Sequence, residues 1–196
     1  MRPSVAPRSR DANPPHTWAA ADLRRPRALL AAVAGLLVSV PLSLNASCQV
    51  HELAHALTGT AFGWKVERVH LCQPTGGSVE YASTSGGRLA DAAESYAGGV
   101  AGAIFLLAVY VLVFYVARTP LRSPAWYGAG FGPVLWIGTQ LMVGIAEGSI
   151  RDRDYGQVLD ANPALTLSFT VGSMLAGAAV HIWLWRAVWR RQPPQP

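Results

Sequence analysis

The chain has 196 residues, 51% of them hydrophobic and only 14% charged, with a formal net charge of +5. That balance is too apolar for an ordinary water-soluble domain and points to one membrane-embedded domain. The basic residues gather at the two ends and in short connections rather than along one surface, which argues against a nucleic-acid partner.

Residues 1–27, rich in arginine and proline, read as a solvated basic leader without fixed structure. The apolar run that follows is too long for the core of a cleaved signal peptide, so it is expected to act as an uncleaved anchor. Residues 28–50 carry no charge, and apolar character resumes after residue 55 as far as Phe62. One helix over 28–62 would be roughly 52 Å long, against a hydrocarbon core of ~30 Å. Pro41 is expected to kink or divide it.

Inside this run lies His51-Glu52-Leu53-Ala54-His55. On a helix the two histidines stand one turn apart on the same face, so both imidazoles can converge on one metal ion. Glu52 is too close in sequence to be a comfortable third ligand, and is placed instead to accept a proton from an activated water. The bland alternative is a charged helix face with two satisfied histidines, but no aqueous face is available here for those charges. The metal is expected about 10 Å below the membrane interface marked by Phe62, Trp64 and Lys65.

Residues 63–83 change texture. Short alternating segments flank Pro74-Thr75-Gly76-Gly77, which predicts a β-hairpin at the interface. His70 on it is a possible ligand, with a solvated hairpin histidine the preferred reading. Cys48 and Cys72 are the only cysteines; they could pair, but two buried free thiols are the expectation.

A second span is expected over about 96–117, opening on Gly98-Gly99 and Gly102, small residues at a spacing that allows close helix approach. A third covers about 125–146 and contains Gln140, a polar group in hydrocarbon that must find a partner and reads as interhelical glue. An acidic loop over 147–156 follows, then a fourth span over about 163–185. His181 within that span is assigned a structural or interfacial role. The expected fold is therefore an all-α membrane protein of about four transmembrane helices, the first long and kinked, with a short β-hairpin after the metal helix. The membrane domain covers 28–189, and 190–196 form a short basic, proline-rich tail.

The segment 51–57 together with Gly63-Trp64-Lys65-Val66, residues 73–79, residues 97–102 and Asp154-Tyr155-Gly156 resembles the site-2 protease superfamily of intramembrane zinc metalloproteases, in particular its small membrane-only members. The resemblance covers roughly residues 50–159. It implies one zinc ion held by His51, His55 and Asp154, with Asp152, Glu147 or Asp160 as alternatives to the last. It further implies Glu52 as general base, and Gly76, Gly77, Gly98 and Gly102 near the substrate. Gly102 stands where the family has a polar asparagine, and Arg153 where it has an apolar residue; no PDZ-like or cystathionine-synthase-like domain is read in the chain.

The implied activity is hydrolysis of peptide bonds in or near transmembrane segments of membrane proteins, single-pass ones foremost, in the cell membrane. The competing expectation is a non-catalytic zinc-binding scaffold or receptor on the same fold. A solute carrier is poorly supported, because four spans show no inverted repeat. Eleven arginines flank the side that carries both ends, against five basic residues on the hairpin side. That places the ends in the cytoplasm, whereas the resemblance implies an active site open toward the cytoplasm, the opposite orientation.

Overall fold

The computed structural model describes residues 23–73, 76–117, 123–149 and 163–190. In chain order these form α1 (Pro26–Ala61), β1 (Lys65–Gln73), β2 (Gly76–Ser83), α2 (Gly87–Ala117), α3 (Pro124–Ala129), α4 (Phe131–Ser149) and α5 (Pro163–Arg190). Among the described residues, four helical stretches are long and apolar enough to cross a membrane: Pro26–Ala61, Gly87–Phe114, Pro124–Gly148 and Pro163–Ala187. The distribution of side chains agrees. Leu30, Leu57 and Trp183 are about two-thirds exposed, whereas Ser47, His51, Glu52, Gln140, Thr166 and His181 are buried. Apolar residues outside and polar ones inside invert the rule for a chain in water and suit a hydrocarbon solvent.

Helix α1 begins with Pro26 in its first turn, where the missing N–H is no loss. It ends in a Schellman arrangement: Gly63 adopts φ 82°, its N–H reaches the Thr60 carbonyl, and the Trp64 N–H reaches Gly59. The division expected at Pro41 does not occur, and all 36 residues form one helix. A proline costs a helix one hydrogen bond, and a neighbour supports the backbone beside it: the Trp136 indole N–H donates to the Val40 carbonyl at 3.0 Å. The third span, by contrast, is interrupted. Its helix breaks at Gly130, between α3 and α4, where Pro133 can offer no N–H to the Ala129 carbonyl. The second span also starts earlier than expected, at Gly87.

β1 and β2 pair antiparallel, with Lys65 opposite Ser83, Val69 opposite Val79 and His70 opposite Ser78. His70 closes an exposed pair with Glu80 at 2.9 Å, so it is engaged on the hairpin surface and not at a metal. The hairpin lies along the second half of α1, while α1, α2 and α4 pack against one another, and α4 against α5. The α2–α4 contact is a backbone approach: a Cβ on Gly99 would lie 2.4 Å from the Gly144 nitrogen. That closeness brings the end of α4 to the histidines of α1. Residues 1–22 of the expected leader and 191–196 of the tail lie outside the described residues.

Candidate metal centre

His51 and His55 face one another across a single turn of α1, with their Nε2 atoms 3.0 Å apart. The third member of the cluster is Glu147: its Oε2 lies 3.2 Å from His51 Nε2 and 3.5 Å from His55 Nε2. Glu147 had been expected in a loop, but α4 continues to Ser149 and carries it in its last turn. It is one of the alternatives to Asp154; Asp154, Asp152 and Asp160 themselves lie outside the described residues. His51, His55 and Glu147 form a group able to hold a metal ion.

The hydrogen bonds around this cluster decide its chemistry. A chain of donors runs from His51 outward. Ser47 Oγ donates to the Leu44 carbonyl at 3.0 Å, Gln140 Nε2 donates to Ser47 Oγ at 3.1 Å, and Gln140 Oε1 is thereby turned toward His51 Nδ1 at 3.2 Å. His51 Nδ1 must then carry its hydrogen. His55 Nδ1 likewise donates to the Glu94 backbone carbonyl at 2.8 Å, with the Glu94 carboxylate 3.1 Å away. Both remaining Nε2 atoms are therefore lone pairs, and they face a buried Glu147 Oε2 that no donor satisfies. Three largely buried acceptors within 3.5 Å of one another are tolerable only around a proton or a metal cation. Two ligands on a tetrahedral ion with bonds of 2.0–2.1 Å stand about 3.3 Å apart, close to the separations here. The Nδ1 partners also fix the tautomer that a metal-ligating histidine needs. The residues present fit a zinc-type ion.

Space for this cluster comes from α2. A Cβ on Gly98 would sit 2.3 Å from His55 Nε2 and 2.6 Å from His51 Nε2, so any side chain there would collide with both imidazoles. Gly102, one turn on, makes room for the Gln140 carboxamide, 2.7 Å from its would-be Cβ. The polar group at that place is thus one supplied by α4.

The hairpin forms the other wall. Glu52 is only 7% exposed, and a Cβ on Gly77 would lie 2.6 Å from its Cγ and 2.8 Å from its Oε1. Gly76 adopts φ 110° at the turn with nothing within 4 Å of a would-be Cβ. Cys48 and Cys72 form a disulfide with Cα atoms 5.9 Å apart, correcting the expectation of free thiols. The local pattern around each cysteine says nothing of their mutual distance, which the folding of the hairpin onto α1 sets. With their sulfurs joined, Cys48, Cys72 and Glu52 make no second metal site. Gln49 reinforces the clamp, its amide pairing with both backbone groups of Cys72 at 3.1 and 3.2 Å. At the hairpin base, Tyr81 packs on Gly59, and its hydroxyl is shared between the His55 carbonyl oxygen at 2.9 Å and Glu94 Oε1 at 2.8 Å. Burial and the Glu94 carboxylate push the Tyr81 phenol well above its ordinary range, so it stays a donor. Trp64 stands edge-on to Tyr81 at 4.9 Å and donates its indole N–H to the Ser85 carbonyl.

Of the expected site residues, the structure gathers His51, Glu52, His55, Gly77 and Gly98, together with Glu147 from among the alternatives for the third ligand. Glu94, Gln49, Ser47 and Tyr81 had gone unremarked; only Gln140, a lone amide in an apolar run, announced that it needed a partner. No protein-family model, curated protein or solved structure matches the chain.

Proposed function

We propose that this protein is a zinc-dependent intramembrane endopeptidase of the cell membrane, cutting peptide bonds in or near transmembrane segments of other membrane proteins. The observation that carries the reading is the converging acceptor triad of His51, His55 and Glu147, with Glu147 Oε2 lacking a donor, beside a buried carboxylate, Glu52, held against the hairpin. His51, His55 and Glu147 would hold the ion, three protein ligands being the number that catalytic rather than structural zinc sites use. Bound zinc supplies Lewis acidity, polarising a peptide carbonyl and bringing the pKa of water toward ~7.

The chain's own residues supply the rest. Glu52 accepts the proton of the attacking water and returns it to the leaving amine, a role in which general bases contribute on the order of 10²–10⁴-fold. Gly77 holds the Glu52 carboxylate on the hairpin side, and Gln140 and Glu94 keep both imidazoles in the ligating tautomer. A helical substrate segment hides its carbonyls in hydrogen bonds and must unwind before it can react. Gln49 occupies the outer edge of β1 at Cys72, which leaves β2 as the strand an extended segment would join.

The test joins metal content to turnover. Purified protein should hold about one zinc per chain and cleave a single-pass membrane substrate, and Glu52→Gln should keep the zinc while abolishing cleavage. Zinc at stoichiometry with no cleavage across a panel of such substrates would favour the scaffold reading, and absence of zinc would end both.

A further inference from the structure

The clamp between hairpin and metal helix also bears on which side of the membrane the centre serves. Cys48 lies one turn before His51, and its disulfide to Cys72 sits within 4.8 Å of the Glu52 carboxylate. Disulfides persist in oxidising compartments and are rare where thiols are kept reduced. This one is no surface ornament, since Cys72 is 9% exposed and its backbone is tied to Gln49.

The element order places every part of the site at one end of the bundle. The second half of α1, the hairpin, the first turns of α2 and the last turn of α4 all meet there. The opposite end collects the start of α1, the end of α2, the start of α3 and the end of α5. In sequence, eleven of the sixteen basic residues fall before or at the start of α1, between α2 and α3, or in and after the last turns of α5, with Arg24, Arg25 and Arg27 directly before or at the start of α1. Basic flanks stay cytoplasmic. Sulfur chemistry and charge are independent of one another, and they agree.

We infer that the metal centre opens to the oxidising, non-cytoplasmic side of the membrane, and that its substrates are membrane proteins presenting their cleavable segment in that leaflet. This rests on the reading of the four helices as spans and of the centre as a protease, and it reverses the orientation that the family resemblance implies. The disulfide then serves as a local clamp, holding Gly77 of the hairpin against Glu52.

The experiment uses the full chain in cells and requires no activity. Two fusions are made after residue 196, one to a fluorescent protein that matures only in the cytoplasm and one to an alkaline phosphatase that is active only outside it. In parallel, cells carrying the unfused chain are acid-quenched, denatured and treated with a polymer-linked maleimide, with and without prior reduction. Expected are fluorescence from the first fusion, no phosphatase activity from the second, and a mass shift of two maleimides per chain only after reduction, matching the two cysteines. An active phosphatase fusion, or maleimide addition without reductant, overturns the inference. A chain that stays out of the membrane fraction overturns it together with the spanning reading. The expected topology without zinc or cleavage leaves the orientation standing and removes only the protease.

Discussion

Two buried histidine clusters sit at opposite ends of this bundle, and they are built differently. At one end His181, fully buried, accepts from the Tyr110 hydroxyl at Nδ1 (3.1 Å) and donates from Nε2 to the Tyr127 carbonyl (3.0 Å). Around it stand Phe131, Tyr127 and Trp185, with ring centres 4.2 to 5.8 Å away. Each nitrogen meets its complement, and the ring ties α2, α3 and α5 together with nothing left to bind. At the other end both Nδ1 atoms of His51 and His55 spend their hydrogens on acceptors, and the atoms left over are acceptors too. Burial of a histidine is therefore no sign of function by itself. The sign is a mismatch of donors and acceptors that only a cation resolves.

The sharpest way to break this contrast is to remove a ring from each end. His51→Ala or His55→Ala should lose the zinc and all detectable cleavage, whereas His181→Ala should retain full metal content, as read by elemental analysis of the purified proteins. Zinc lost equally from all three would mean that the two clusters do not differ in kind.

Next in size is the comparison of carboxylates within the metal end. Glu52→Gln should lower turnover by roughly 10²–10⁴-fold with zinc retained, and Glu147→Gln should lower both. Asp154→Asn is the companion variant: if it sheds the metal while Glu147→Gln keeps it, the third ligand is Asp154 and the position of Glu147 is incidental.

A smaller effect should follow from loosening the support of His51. Gln140→Ala removes the acceptor of its Nδ1 hydrogen and should weaken zinc binding about 10–100-fold, measured by competition with a chelator of known affinity. A Gln140→Glu variant, which keeps an acceptor at that place, should recover much of the loss; equal weakening in both would reduce Gln140 to a packing residue.

The smallest expected effect is a stability change at the far end. His181→Ala strands the Tyr110 hydroxyl and the Tyr127 carbonyl, each worth about 1–3 kcal/mol when buried without a partner. The denaturation midpoint in detergent should fall while zinc affinity stays level.

How much of this could be read along the chain depends on the range of the interaction. The pair His51 and His55, the Glu52 carboxylate beside them, the end of α1 at Gly63 and the hairpin beyond it are local patterns, set by helix periodicity and turn chemistry. The apolar spans are equally local, because hydrocarbon demands long runs without charge. Other features depend on which distant surfaces meet. Gln140 and Glu147 lie 89 and 96 residues beyond His51, and α4 reaches it because α4 approaches α2 backbone to backbone at Gly99 and Gly144, and α1 at Gly132 and Ser39. The same holds for Cys48 with Cys72, for Glu94 behind His55, and for Gly77 against Glu52. Sequence by itself determined that one helix turn could offer two imidazoles and a carboxylate within an apolar domain. Only tertiary packing decided which third acceptor joins them, which hydrogens are taken up elsewhere and which residue pins the hairpin, because those depend on distances between segments that no local periodicity encodes.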